Sequence, residues 1–153
     1  MAGLIISIII FNIAAVKFGK TLTGNQKLHI WAFTIAFQQT FDVIIEFKLH
    51  GYWYFSLDPD IGGLLAHTLL LPPVNVLFLS RYPFSSDRLT RIFYVVFWVI
   101  AILLYEYFTL LPEPWGYFHY GWWKLWHAAI ADPILFFLLI QYYKWVRKLE
   151  GAK

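Results

Sequence analysis

The chain has 153 residues, of which 60% are apolar and 14% charged, with 8 Trp, 10 Tyr and 15 Phe. A water-soluble domain of this length runs nearer half apolar and a quarter charged, so the composition argues against a soluble globular domain and against disorder. Cysteine is absent, which removes disulfides, thiolate metal sites and cysteine nucleophiles, and the formal charge of +3 says less than its distribution.

In chain order, the apolar runs predict five helices, each near the roughly 17–25 residues that cross a bilayer core. The first covers residues 2–18 and carries only Ser7 and Asn12 as polar side chains. No basic residue precedes its apolar run, and Lys17 and Lys20 follow it. A secretory signal has the opposite order, so a retained helix with its N-terminus outside is expected. Gly24-Asn25 introduces the second, residues 28–47, where Gln38, Asp42 and Glu46 recur at i, i+4 and i+8 and share a face. Asp58-Pro59-Asp60 introduces the third, residues 61–79, with His67, Thr68 and Asn75 around Pro72-Pro73. Those prolines remove amide donors and free carbonyls, which predicts a packed kink or a broken helix at a transport site. Pro83 and Ser85-Ser86-Asp87 introduce the fourth, residues 92–111, with Glu106. Pro112-Glu113-Pro114 and Gly116 lead to the fifth, residues 122–143, which holds His127 and Asp132 before Pro133. The connections are too short for a soluble domain. The expected architecture is all-α: residues 1–153 as a single polytopic integral membrane bundle of five transmembrane helices.

Cytoplasmic loops carry the excess of Lys and Arg. Lys17, Lys20 and Lys27, then Arg81, Arg88 and Arg91, then Lys144, Arg147, Lys148 and Lys153 place ten of the twelve basic residues on one side. The parity of five spans agrees, giving an N-terminus out and a C-terminus in. These charges then face anionic lipid, so membrane lipids are expected partners and nucleic acid is not. Trp53, Trp115, Trp122, Trp123 and Trp126, with Tyr52, Tyr54, Tyr117 and Tyr120, crowd the outer end. They read as interfacial anchors, or as an aromatic mouth for an apolar ligand or a cation.

Ionisable side chains inside a span cost roughly 2.5–3.5 kcal/mol each on insertion scales and default to function. At about 1.5 Å per residue, Asp42 lies roughly 7–8 Å and His67 roughly 9 Å below the outer surface. Glu106 and His127 fall at a similar depth, with Asp132 near the midplane. Four helices therefore present Asp42, His67, Glu106 and His127 to one layer, the predicted site, with Asp132 next and Glu46 at its border. Plainer roles compete for each. Gln38, Thr68 and Asn75 suit interhelical hydrogen bonds of about 0.6 kcal/mol; Glu46 beside Lys48 suits snorkelling; Asp132 suits capping at the Pro133 kink; a histidine alone suits a satisfied core. No lysine lies at mid-depth, which excludes a retinal-type Schiff base, and no glycine-rich phosphate loop, G-x-S-x-G elbow or H-E-x-x-H helix occurs.

Phe41-Asp42, Gly51-Tyr52-Trp53-Tyr54-Phe55, the run from His67 to Asn75 and the segment from Trp122 to Pro133 together resemble an uncharacterised family of small multi-pass membrane proteins from endospore-forming Firmicutes bacteria. The resemblance covers nearly the whole chain and implies a bacterial plasma membrane or spore membrane, with no activity attached. Asp42 followed by Tyr52-Trp53-Tyr54 also resembles part of membrane carotenoid-cyclase domains, whose paired glutamates are replaced here by Leu64-Leu65-Ala66-His67.

Three function classes follow. One is a transporter or channel for protons or cations, with Asp42, Glu106, His127 and Asp132 as relay or coordinating groups. Another is a membrane-embedded enzyme on a lipid or isoprenoid, with Asp42 or Glu106 as acid and His67 or His127 as base. A metal on His67, His127 and a carboxylate, or a haem on both histidines, belongs to that class. The last is a non-catalytic assembly or sensor protein whose polar layer fixes packing. A homo-oligomer is compatible with each.

Overall fold

A computed structural model of the chain describes residues 1–151; Lys153, counted above with the basic tail, lies outside the described residues. The protein is all-helical: α1 Ala2–Phe18, α2 Gly24–Lys48, α3 Ile61–Ser80, α4 Arg88–Thr109 and α5 Leu125–Gly151. The last four are long and apolar enough to cross a membrane, while α1, at 17 residues, is shorter. A small element was not foreseen. Tyr52–Trp53 (β1) pairs antiparallel with His119–Tyr120 (β2), Tyr52 opposite Tyr120 and Trp53 opposite His119, tying the α2–α3 and α4–α5 connections together.

Local chemistry sets the helix ends. Thr23 and Gln26 form a reciprocal capping box, with Gln26 N donating to Thr23 Oγ1 at 3.1 Å and Thr23 N to Gln26 Oε1 at 3.2 Å. This starts α2 four residues before the expected position. Asp87 accepts from the amides of Leu89 and Thr90, so α4 likewise begins early, at Arg88. Asp60 caps α3 by accepting from Gly63 N at 2.8 Å. In contrast, α5 begins late. Gly121 N and Trp123 N both donate to Gly51 O at 2.9 Å, which holds this stretch to the strand pair until Leu125. At its far end α5 runs on to Gly151, where Glu150 accepts from Asn25 Nδ2 at 2.7 Å and Gln26 Nε2 at 2.6 Å.

Backbone contacts order the helices α1–α3–α2–α5–α4. One apolar core holds the end of the bundle opposite the strand pair, around Ile30, Val76, Phe78, Leu79, Phe136 and Leu139. Phe78 is fully buried there and stacks on Phe136 at a centroid distance of 4.0 Å. A second core, with Leu4, Tyr52, Tyr54, Leu70, Tyr117 and Trp123, closes the strand-pair end. Large apolar side chains also cover the outside, with Ile13 61%, Phe97 66%, Leu104 65% and Phe137 58% exposed.

Pro72 and Pro73 are packed rather than splayed. In an α-helix the carbonyls of Thr68 and Leu69 would pair with the amides of residues 72 and 73, which prolines lack. Trp31 Nε1 donates to Thr68 O at 3.1 Å, and Asn12 Nδ2 donates to Leu69 O at 2.8 Å. Side chains of α2 and α1 thus satisfy the freed acceptors, and the turn just before the prolines, Ala66–Leu70, widens into a π-helix. The last turn of α2, Val43–Lys48, is also π-helical. π-Helical turns inside helices are frequent at functional sites.

Candidate functional site

The two π-helical turns meet across the α2–α3 seam and bring three ionisable side chains together. Asp42 stands just before the first turn, Glu46 within it and His67 within the second. All are buried, at 0%, 3% and 2% exposure. His67 Nε2 lies 3.0 Å from Asp42 Oδ2 and 3.9 Å from Glu46 Oε2. The first separation is short, yet the ring N–H is not aligned on the carboxylate, and neither Nε2 nor Glu46 Oε2 has a hydrogen-bond partner. The distance therefore records a close approach of two ionisable groups rather than a formed hydrogen bond.

Asp42 is held firmly from its other side. Tyr52 OH donates to Oδ1 at 2.5 Å, and Gln38 Nε2 sits 3.0 and 3.1 Å from the two oxygens. Tyr54 presents a ring at 76° to His67, with centroids 4.8 Å apart. Burial, then the neighbouring Asp42 charge, push the Tyr52 and Tyr54 hydroxyls well above the ordinary phenol range. Tyr52 therefore remains a donor at neutral pH. Electrostatically the group is short of positive charge: the Asp42 and Glu46 carboxyls face one imidazole, and no Lys or Arg salt bridge joins them among the described residues. Such a group needs a bound proton or another cation to offset its burial.

Two cavities lie near it. A central one of about 210 Å³ reaches Gln38 and Tyr52, the two side chains that hold Asp42, and continues to Glu106 and Asp132. Asn75 Nδ2 donates to Thr34 Oγ1 at 2.9 Å in its wall, the interhelical tie expected of Asn75. A second cavity of about 300 Å³ is bordered by Glu46, His67 and Asp60.

The predicted four-residue site divides into three. Asp42 and His67 meet. Glu106 instead accepts from Tyr120 OH at 2.5 Å and shares the central cavity with Asp132. Asp132 makes no capping bond before Pro133, which lies inside α5, and its Oδ2 is buried without a partner. His127 belongs to neither group. Its Nδ1 accepts from Lys124 N at 2.9 Å and its ring stacks on Trp126 at 3.6 Å, an N-terminal turn rather than a buried layer. The correction follows from the late start of α5, which leaves residue 127 in the first turn of the helix. A haem on both histidines, or a metal using both, is not assembled by this geometry. The side chains close enough to share an ion are Asp42, Glu46 and His67, whose ligating atoms lie within 4.8 Å of one another.

Glu46 is the residue that depth alone missed. Its spacing from Asp42 placed it on the correct face, but the adjacent Lys48 invited snorkelling; in the fold Lys48 is exposed while Glu46 turns inward. Composition marks Tyr52 only as one of the outer aromatic residues, anchor or mouth, and its pairing with β2 brings it over Asp42. Family models, curated proteins and solved structures yield no match to this chain.

Proposed function

We propose that this chain is an integral membrane protein that carries a cation, a proton or a larger one, through a polar site in the outer half of the bilayer. The outward-facing apolar side chains of α1, α4 and α5 suit lipid better than water. The basic clusters support an N-terminus outside and a C-terminus inside. The sequence resemblance supports a bacterial plasma or spore membrane.

One observation carries the functional reading: Asp42, His67 and Glu46 are buried together, with no Lys or Arg salt bridge among the described residues, and Glu46 and His67 border a cavity. Glu46 and His67 border the cavity beside Asp60, and Asp42 is joined through Tyr52 and Gln38 to the central cavity. A cation entering from one cavity meets Glu46 and His67 first and Asp42 next. Beyond the central cavity the Phe78–Phe136 core closes the way, so passage requires that core to open.

Purified protein in liposomes, with an internal pH or cation indicator and an imposed gradient, tests this reading. Flux is expected for the native chain and at least a tenfold loss for Asp42→Asn and Glu46→Gln. Native-level flux in both variants, or no flux from the native chain under proton, sodium, potassium and choline gradients, would overturn it.

A further inference from the structure

The central cavity has a character of its own. Phe33, Phe37, Phe41 and Trp123 line it with aromatic rings, and Glu106 and Asp132 supply its carboxyl groups. None of its lining residues is Lys, Arg or His. Asp132 Oδ2 is buried with no hydrogen-bond partner, whereas Glu106 is already held by Tyr120. One carboxyl oxygen is therefore left without a partner beside a cavity walled by aromatic and aliphatic side chains, with Thr34, Gln38 and Asn75 as its neutral polar groups. A carboxyl group that ionises against a bound cation and a set of aromatic faces attract the same class of ligand: a cation with an apolar skin.

Size narrows the class. An apolar cavity of about 150 Å³ takes up benzene; this one, at about 210 Å³, admits a somewhat larger compact molecule. A hydrated metal ion would leave the aromatic walls unused. A quaternary ammonium has no N–H to satisfy and presents only methyl groups, so it suits both the rings and the single unpartnered oxygen. We infer that the central cavity binds a small quaternary ammonium ion between Trp123 and the phenylalanines, with Asp132 as its counter-ion. The inference rests on the cation-carrying reading above, for which it names the substrate class.

Choline and its neutral isostere 3,3-dimethyl-1-butanol, titrated calorimetrically into native protein in detergent, test the site directly. Choline is expected to bind at least tenfold more tightly than the isostere, and Asp132→Asn, which keeps the side-chain shape, to lose at least tenfold of that affinity. Thermal stabilisation of the native protein by choline but not by the isostere gives the same answer without a variant. Equal binding of the two probes, no binding of either, or undiminished affinity in a folded Asp132→Asn protein would overturn the inference. Liposome flux separates the two proposals. Choline binding without flux of any cation leaves the site standing and removes the transport reading, whereas proton flux without choline binding does the reverse.

Discussion

Tyr52→Phe removes one oxygen from the molecule and isolates the link between the strand pair and Asp42. The hydroxyl donates to Asp42 Oδ1 at 2.5 Å, and the acceptor is fully buried. Gln38 cannot take its place, because its amide is already spread across both carboxylate oxygens at 3.0 and 3.1 Å. A hydrogen bond to a charged acceptor contributes about 1.5–3 kcal/mol. For a domain of this length each kcal/mol moves Tm by about 2–4 °C, so a loss of about 2 kcal/mol predicts a fall of about 4–8 °C. Thermal unfolding in detergent, followed by circular dichroism, measures it. Tyr54→Phe is the control, since its ring contact on His67 survives without the hydroxyl; less than half the effect is expected there. Asp42→Asn closes a double-mutant cycle with Tyr52→Phe, and the two changes should be strongly non-additive. Equal losses in the two tyrosine variants, or additive losses in the cycle, would refute the reasoning.

Three further outcomes are expected. Asn12→Leu leaves the Leu69 carbonyl unpartnered and should destabilise by about 1–3 kcal/mol, with a smaller loss in a Pro73→Ala background, where residue 73 regains an amide to donate; chemical unfolding of the four proteins checks this. Tyr52, Tyr54 and Tyr117 have hydroxyls raised by burial, so above pH about 10 the unfolded chain releases phenol protons that the fold retains. The unfolded state then binds fewer protons and stability falls as pH rises; alkaline melting with tyrosinate absorbance should show the fall beginning there, and less steeply in Tyr52→Phe. Because the chain has no cysteine, Ser56→Cys and Ser85→Cys each give a single exposed thiol. An impermeant maleimide should label the first in intact cells and the second only after permeabilisation, and the reverse pattern would invert the topology.

The helices were legible because their signals are local. Apolar runs bounded by Gly24-Asn25, Asp58-Pro59-Asp60 and Pro83 marked all five, and the errors at their ends have named causes. The Thr23–Gln26 box and the Asp87 cap are themselves local patterns, and giving them full weight would have placed the starts of α2 and α4 correctly. Pro72-Pro73 was legible as a loss of donors. Its repair was not, because Trp31 and Asn12 reach those carbonyls from other helices and nothing in the local spacing announces them.

The site was legible in depth but not in azimuth. Counting residues from the span ends brought Asp42, His67, Glu106 and His127 to one level, yet a shared level does not make side chains face one another. On α2 the i, i+4 spacing supplied the azimuth, and Glu46 does stand beside Asp42. Across helices it depended on where α5 begins, and that is set by Trp123 N and Gly121 N reaching Gly51 O, a contact between segments far apart in the chain. The same strand pairing that leaves His127 in a terminal turn also lays Tyr52 over Asp42. One long-range contact therefore removed a predicted member of the site and supplied an unpredicted one. If Asp42 is the station through which a cation passes, the strand pair sets its charge environment through the Tyr52 hydroxyl, and any movement of that pair would be felt first at Asp42.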